Sequence, residues 1–178
     1  MKLFFALTNA LFDAACCAWD NKCAFNSVRP ITAIRTLSVG RRCWPGPGPY
    51  RGAKPIDGAS WFPYQPSSFP TPRSSSTRRA TAQFNAAGAE ILALITSSDR
   101  FGGSSTLGAG NSKIELGEVP ASDVTLSWPT FSDAADQAGL SRRYGGLHFE
   151  QADLDARAAG RMAARAAWQK AQRYWNGS

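Results

Sequence analysis

The sequence has few of the side chains that most often bind metals. Its 178 residues include a single histidine, His148, so any mechanism that needs two histidines from this polypeptide is excluded. The four cysteines have no C-x-x-C spacing and no neighbouring histidine to complete a zinc site. We therefore expect free or buried thiols at Cys16, Cys17, Cys23 and Cys43.

Long apolar runs are also lacking. The opening MKLFFALTNALFDAACCAW superficially resembles a secretory signal, but its polar residues Lys2, Asn9, Asp13 and Asp20 follow one stripe of an α-helix. An aspartate in the apolar centre is not typical of a signal peptide. We expect a buried core helix here, without cleavage. No other stretch approaches the ~18 apolar residues of a membrane span, so we expect no span and assign no compartment.

Acidic side chains are outnumbered by basic ones. Lys and Arg total 20 against 13 Asp and Glu, which gives a net charge of +7, and 15 of the basic residues are arginine. The arginine fork binds oxyanions well, so an anionic small molecule is a natural partner. A basic nucleic-acid binder, with Trp and Tyr as stacking residues, is the alternative from another class. Because the arginines are dispersed and no nucleic-acid motif is present, we expect no nucleic-acid partner.

Length and composition are typical of one folded domain, and no internal repeat is present. Pro- and Gly-rich segments predict two long loops, Cys43 to Arg79 and Asp99 to Ser127, with a possible strand at Asp123 to Ser127. The fold class predicted is therefore all-α with two long loops. Apolar periodicity and capping patterns place the helices at about Leu3 to Asn21, from Pro30 onward, Thr81 to Ser97, Thr130 to Gly139 and Ala152 to Trp175.

Two motifs place cations at helix boundaries. The first is K-x-x-x-x-x-x-R-P, formed by Lys22 and Arg29-Pro30, and the second joins Arg142 to His148 through a Gly-rich turn. An anion at such boundaries would meet cationic side chains and loop N–H groups. Taken singly, Lys22 and Arg29 could be a solvated charged edge and His148 a structural histidine. Taken together, they predict one oxyanion site.

These motifs resemble the signature of the vanadium-dependent haloperoxidase family, which shares its site with type 2 phosphatidic acid phosphatases and bacterial acid phosphatases. That signature is K-x-x-x-x-x-x-R-P, then P-S-G-H, then S-R-x-x-x-x-x-H. The resemblance extends over nearly the whole chain, through KLFFALTNALFDAACCAWDNKCAFNSVRPITAIR, WFPYQPSSFPTP and SWPTFSDAADQAGLSRRYGGLHFEQADLDARAAGRMA. It implies a helical bundle of the haloperoxidase and acid phosphatase type. It also suggests that residues 1–178 form the C-terminal part of one such domain.

The resemblance implies roles for the site residues. Lys22, Arg29 and Arg142 would hold the equatorial oxygens of vanadate or phosphate, and His148 would be the axial ligand of vanadium or the nucleophile that attacks phosphate. The candidate for orienting His148 is Asp153, although it lies five residues after the histidine, whereas the phosphatases have this aspartate at four. The implied activity is oxidation of halide by hydrogen peroxide with vanadate as cofactor. The alternatives are hydrolysis of a phosphomonoester through a phosphohistidine, or an inactive oxyanion-binding fragment.

The middle motif, P-S-G-H, is absent. Where the family has PFPEYPSGHSTF, this chain has RSSSTRRATAQF, so Arg79, Ala80 and Thr81 replace Ser, Gly and His. One legal choice of codons for residues 73–83, read one base earlier, translates as PFLEYPSGHST. We therefore hypothesise two compensating single-base changes around this segment. Loss of the second imidazole predicts impaired turnover, because a general acid or base contributes roughly a hundred- to ten-thousand-fold in rate.

Overall fold

The computed structural model describes residues 1–25, 27–44, 48–65 and 80–177. Its helices are α1 (Lys2–Phe25), α2 (Pro30–Leu37), α3 (Ala80–Thr96), α4 (Phe131–Tyr144) and α5 (Glu150–Asn176). Two short antiparallel pairs accompany them, β1 (Arg42–Cys43) with β2 (Ile56–Asp57), and β3 (Arg100–Leu107) with β4 (Val124–Thr130). A single 3-10 turn, Gly58–Ser60, follows β2.

The core lies where α1, α3 and α5 pack against one another, as the apolar periodicity predicts. It is built mainly from small side chains, which let helix backbones approach closely. A Cβ added at Gly160 of α5 would overlap the carbonyl oxygen of Gln83 in α3, so only glycine allows this spacing. The buried cluster consists of Ala6, Ala10, Ala14, Ala87, Ile91, Ala164, Ala167 and Ala171.

By length and composition alone, the N-terminal stretch Lys2–Leu37 is apolar enough to cross a membrane. Core helices and signal sequences of soluble proteins satisfy the same criterion. In this structure the alanine row of α1 is fully buried against α3 and α5, while larger residues such as Phe4 and Phe12 are exposed. Only the alanine row packs in the core, and 22% of the most apolar window of this stretch is buried.

The second predicted loop is wrong at Arg100–Leu107, which forms β3 and pairs antiparallel with β4, whereas the possible strand at Asp123 to Ser127 is confirmed as part of β4. Gly103 pairs with Trp128 and Ser105 with Leu126. The sequence of β3, RFGGSSTL, does not alternate apolar and polar residues, which is the usual signal for a half-buried strand. In the structure most of its side chains are exposed. Backbone pairing holds the hairpin together with cross-strand contacts of Phe101 with Trp128 and of Thr106 with Thr125, and no local sequence pattern predicts this pairing. Of the first predicted loop, residues 45–47 and 66–79 lie outside the described residues.

The predicted end of α4 at Gly139 is also wrong. The N-terminus is as predicted, with a capping box in which the hydroxyl of Thr130 accepts from the N–H of Asp133 at 2.9 Å. The helix then continues through Gly139 to Tyr144. Gly139 is buried inside the helix because α5 side chains pack directly against its Cα. This glycine serves helix packing, and the extra turn carries Arg142 to the helix end.

All four cysteines are free, as expected. Cys16 and Cys23 are exposed, and Cys17 and Cys43 are partly buried.

Candidate functional site

The junction between α1 and α2 holds the first two predicted cations. Lys22 lies in the last turn of α1, with its Nζ 4.2 Å from the centroid of the Trp19 ring. Arg29 precedes α2 in an extended conformation and is half-buried, and Pro30 occupies the first helical turn. Proline suits that position because its fixed φ fits a helix and the missing N–H costs no helical bond. The motif thus fixes Arg29 at the start of a helix.

The turn from Arg142 to His148 holds the other predicted residues. Arg142 lies in the last turn of α4, where its carbonyl accepts from the N–H of Leu147 at 3.0 Å. Gly146 has a φ of +70°, and a Cβ there would lie 2.7 Å from the Trp61 ring. Glycine is therefore required on both conformational and steric grounds. The turn delivers His148, only 9% exposed, immediately ahead of α5.

Residues 61–64 connect these two parts of the site. From α2, the Nε of Arg35 donates to the carbonyl of Trp61 at 2.8 Å. From the other side, the N–H of Tyr64 donates to the carbonyl of Gly145 at 2.9 Å. The helix that begins after Arg29 and the turn that ends at His148 are thus held by one short segment.

The electrostatics of the two arginines point to an anion. Burial, together with the positive charge of Arg142, lowers the pKa of Arg29 from its ordinary value. Burial likewise lowers the pKa of Arg142, whose Nε has no hydrogen-bond partner among the described residues. Two guanidinium groups near each other in a half-buried place repel, and an anion between them would offset this repulsion. The cation pair and the adjacent buried His148 therefore fit a tetrahedral oxyanion such as vanadate or phosphate.

Asp153 forms its ion pair with another residue of α5. Its fully buried carboxylate accepts from the guanidinium of Arg157, which also lies 3.5 Å from Asp136 of α4. Arg161 donates to the same Asp136 at 2.8 Å. This network joins α4 to α5 on either side of the turn that carries Arg142 and His148. The orientation of His148 by Asp153 remains a prediction.

The replaced middle motif falls at the start of α3. Ala80 and Thr81 are its first two residues, with Ala80 half-buried and Thr81 exposed, while Arg79 lies outside the described residues. Two residues on, Gln83 is fully buried, and neither its Oε1 nor its Nε2 has a hydrogen-bond partner in the part of the chain that the structure describes. An unpaired buried amide is unfavourable by roughly 1–3 kcal/mol. This sequence fits its place in the fold poorly.

Some residues that build the site were not found from the sequence. The spacing of Asp153 and Arg157, four residues apart on α5, is a readable signal for an ion pair. The contact from Arg35 to Trp61 joins residues 26 positions apart. No local pattern indicates that contact, because it depends on the tertiary fold.

The fold is that of a helical-bundle protein, with the predicted site residues at the ends of its helices. Comparison with known families gives the same class: the chain belongs to the VCPO second helical-bundle domain family, whose model matches residues 2–177, and thus to the vanadium haloperoxidase superfamily. No curated protein matches the chain.

Solved structures of bacterial enzymes share the fold. The chain is 25% identical to an apo-type bacterial vanadium-dependent chloroperoxidase, with a TM-score of 0.86, over 97% of this chain and 36% of the other. For the holo-type structure the sequence identity is 25% and the TM-score is 0.84, over 94% of this chain and 35% of the other. A bacterial vanadium-dependent iodoperoxidase has 23% identity and a TM-score of 0.64, over 94% of this chain and 33% of its own. The chain thus spans about a third of their length.

Proposed function

We propose that this chain binds vanadate in the cleft between α2 and the turn from Arg142 to His148, as part of a haloperoxidase-type site. The observation that carries the proposal is the pair of half-buried guanidinium groups, Arg29 and Arg142, each with a lowered pKa. Lys22 is the third proposed cation, and His148 is the residue that would coordinate the vanadium. Two solved relatives are described as vanadium-dependent chloroperoxidases, which supports vanadate over other oxyanions.

The residues of the chain have distinct roles in this proposal. Arg29, Arg142 and Lys22 balance the negative charge of the anion and fix its orientation, which is electrostatic preorganisation. The tight turn at Gly146 and burial of the side chain fix the position of His148. When bound, vanadate supplies the Lewis-acid centre at which hydrogen peroxide oxidises halide.

The step that we expect to be slowed in this chain is proton transfer. The residue aligned with the second histidine of the family is Thr81, whose hydroxyl does not titrate near neutral pH. We expect binding of the anion to persist and turnover to fall roughly a hundred- to ten-thousand-fold. The unpaired Gln83 amide supports the hypothesis that residues 73–83 are read out of frame. DNA that encodes no P-S-G-H in the shifted frame would contradict that hypothesis.

Vanadate titration followed by calorimetry tests the proposal. We expect Arg29→Gln and Arg142→Gln each to weaken vanadate binding by about tenfold or more, because hydrogen bonds to charged groups contribute roughly 1.5–3 kcal/mol. The matched control is Arg100→Gln, since Arg100 is exposed on β3 and takes no part in the cleft. Equal vanadate affinity in all four proteins would contradict the proposal.

A chain with the middle motif restored separates halide oxidation from phosphomonoester hydrolysis. Replacing residues 73–83 with PFLEYPSGHST should restore oxidation of bromide or chloride by hydrogen peroxide in the presence of vanadate. Hydrolysis of a phosphomonoester by the restored chain, without halide oxidation, would instead favour the phosphatase alternative. Loss of the restored activity in Arg142→Gln is the control that connects it to this cleft.

A further inference from the structure

A second cavity, of about 280 Å³, is walled by aromatic rings and one carboxylate. The rings belong to Trp61, Phe62, Tyr64 and Tyr144, and the carboxylate is that of Glu115. Trp61 is 3% exposed at one wall, whereas Tyr144 is 76% exposed and lines the entrance side. Neither the anion proposal nor the bundle core uses this cavity.

The Glu115 carboxylate is held in a fixed position. Its Oε1 accepts from the backbone N–H of Tyr50 at 2.6 Å, and its Oε2 accepts from the hydroxyl of Tyr64 at 2.7 Å. The Tyr50 hydroxyl in turn accepts from the N–H of Leu116 at 2.7 Å. Two loops distant in sequence are thus joined around one carboxylate, which faces the cavity with little freedom to rotate away.

Among the described residues, Glu115 has no cationic partner. Within residues 1–25, 27–44, 48–65 and 80–177, no lysine or arginine forms an ion pair with it. In the part of the chain that the structure describes, its carboxylate accepts from two neutral donors, and burial together with the Glu115 hydrogen bond raises the pKa of Tyr64 to about 12. The Arg35 guanidinium already lies 5.8 Å from the centroid of the Phe62 ring. The negative charge of Glu115 therefore lies near three further rings, Trp61, Tyr64 and Tyr144, whose faces are also electronegative.

We propose that this cavity binds a small organic cation, a primary or methylated ammonium group on a compact apolar body. Ring faces and a carboxylate both attract positive charge, and both would disfavour an anion. The volume is near the lower end of ligand pockets, about 300–1,000 Å³, so the ligand is small. The wall formed by Tyr144, Gly145 and Gly146 belongs to the turn between Arg142 and His148, so the cation lies next to the oxyanion cleft.

This inference goes beyond vanadate binding and does not depend on it. Choline and its neutral isostere, 3,3-dimethylbutan-1-ol, are suitable probes because they share a shape and differ in charge. Ligand-observed NMR titration of the whole chain should give choline an affinity at least about tenfold above that of the alcohol. No choline binding, or equal affinity for the two probes, would overturn the proposal.

Three variants locate the site. Glu115→Gln keeps an oxygen for the tyrosine donors but removes the charge, and we expect about a tenfold loss of choline affinity. Tyr144→Ala removes an exposed wall with little effect on folding and should lower the affinity independently. Glu118→Gln changes an exposed carboxylate in the same loop and should bind as the unsubstituted chain does. Unchanged choline affinity in Glu115→Gln or in Tyr144→Ala would refute the proposal.

Discussion

The buried amide of Gln83 gives a stability prediction that can be worked from the structure. The side chain is fully buried, and both polar atoms lack partners among the described residues. Methionine has a similar length and no polar atom that needs a hydrogen bond, so Gln83→Met removes the desolvation penalty and keeps the packing. An unsatisfied buried group costs roughly 1–3 kcal/mol. We therefore expect the variant to be more stable by about 2 kcal/mol.

Thermal unfolding followed by circular dichroism measures this change. For a chain of this length, 2 kcal/mol corresponds to a rise in Tm of roughly 4–8 °C. The matched control is Gln169→Met, which makes the same substitution at an exposed position of α5 and should change stability by no more than about 0.5 kcal/mol. A lower Tm for Gln83→Met would show that the amide is stabilising and would refute the reasoning.

The remaining predictions concern the α4–α5 network and the Glu115 clamp. Asp153→Asn should destabilise the fold by roughly 1.5–3 kcal/mol in urea denaturation, because Arg157 loses its buried charged partner and keeps only the half-exposed Asp136; a loss below about 1 kcal/mol would contradict the ion-pair assignment. Gly139→Ala should cost roughly 1–3 kcal/mol, since its Cβ would lie 2.8 Å from Arg157 Nε, and unchanged unfolding would exclude this close contact. The pKa of Tyr64 is raised to about 12, so the proton is held more tightly in the folded state, and this contribution to stability is present below about pH 10 and lost as pH rises through 12. Phenolate absorbance should show one late-titrating tyrosine that disappears in Tyr64→Phe and shifts to lower pH in Glu115→Gln.

Features with a local physical cause could be predicted from the sequence. The capping box of Thr130 and Asp133 depends on residues three apart, and it is present in the structure. The alanine rows of α1 and α5 follow helical spacing, so their packing could be predicted as well. In contrast, half of β3 is Gly and Ser, and its pairing with β4 depends on contacts across the sequence, including stacking of Phe101 on Trp128 and a 2.8 Å hydrogen bond between the hydroxyls of Thr106 and Thr125.

In the candidate site, too, some residues have a local sequence signal and others depend on tertiary contacts. The motifs predict Arg29, Arg142 and His148 as site residues because their spacing resembles a known signature, and that assignment stays a prediction. The contact between Trp61 and Gly146 that holds the turn, and the Glu115 carboxylate beside Tyr64, join loops far apart in sequence. No periodicity or cap marks such contacts, since they exist only once the loops are brought together by the bundle.

The central claim is that the fold holds the mutually repelling Arg29 and Arg142 close enough to bind one anion between them. Thermal unfolding of the unsubstituted chain and of Arg142→Gln, each with and without vanadate, tests it most directly. Without vanadate, the variant should be at least as stable as the unsubstituted chain, because repulsion and desolvation are relieved. Vanadate at about 100 times the Kd of the unsubstituted chain should stabilise that chain by about 2.7 kcal/mol and the variant, which binds at least about tenfold more weakly, by no more than about 1.4 kcal/mol. A variant that is less stable alone, yet equally stabilised by vanadate, would contradict the account.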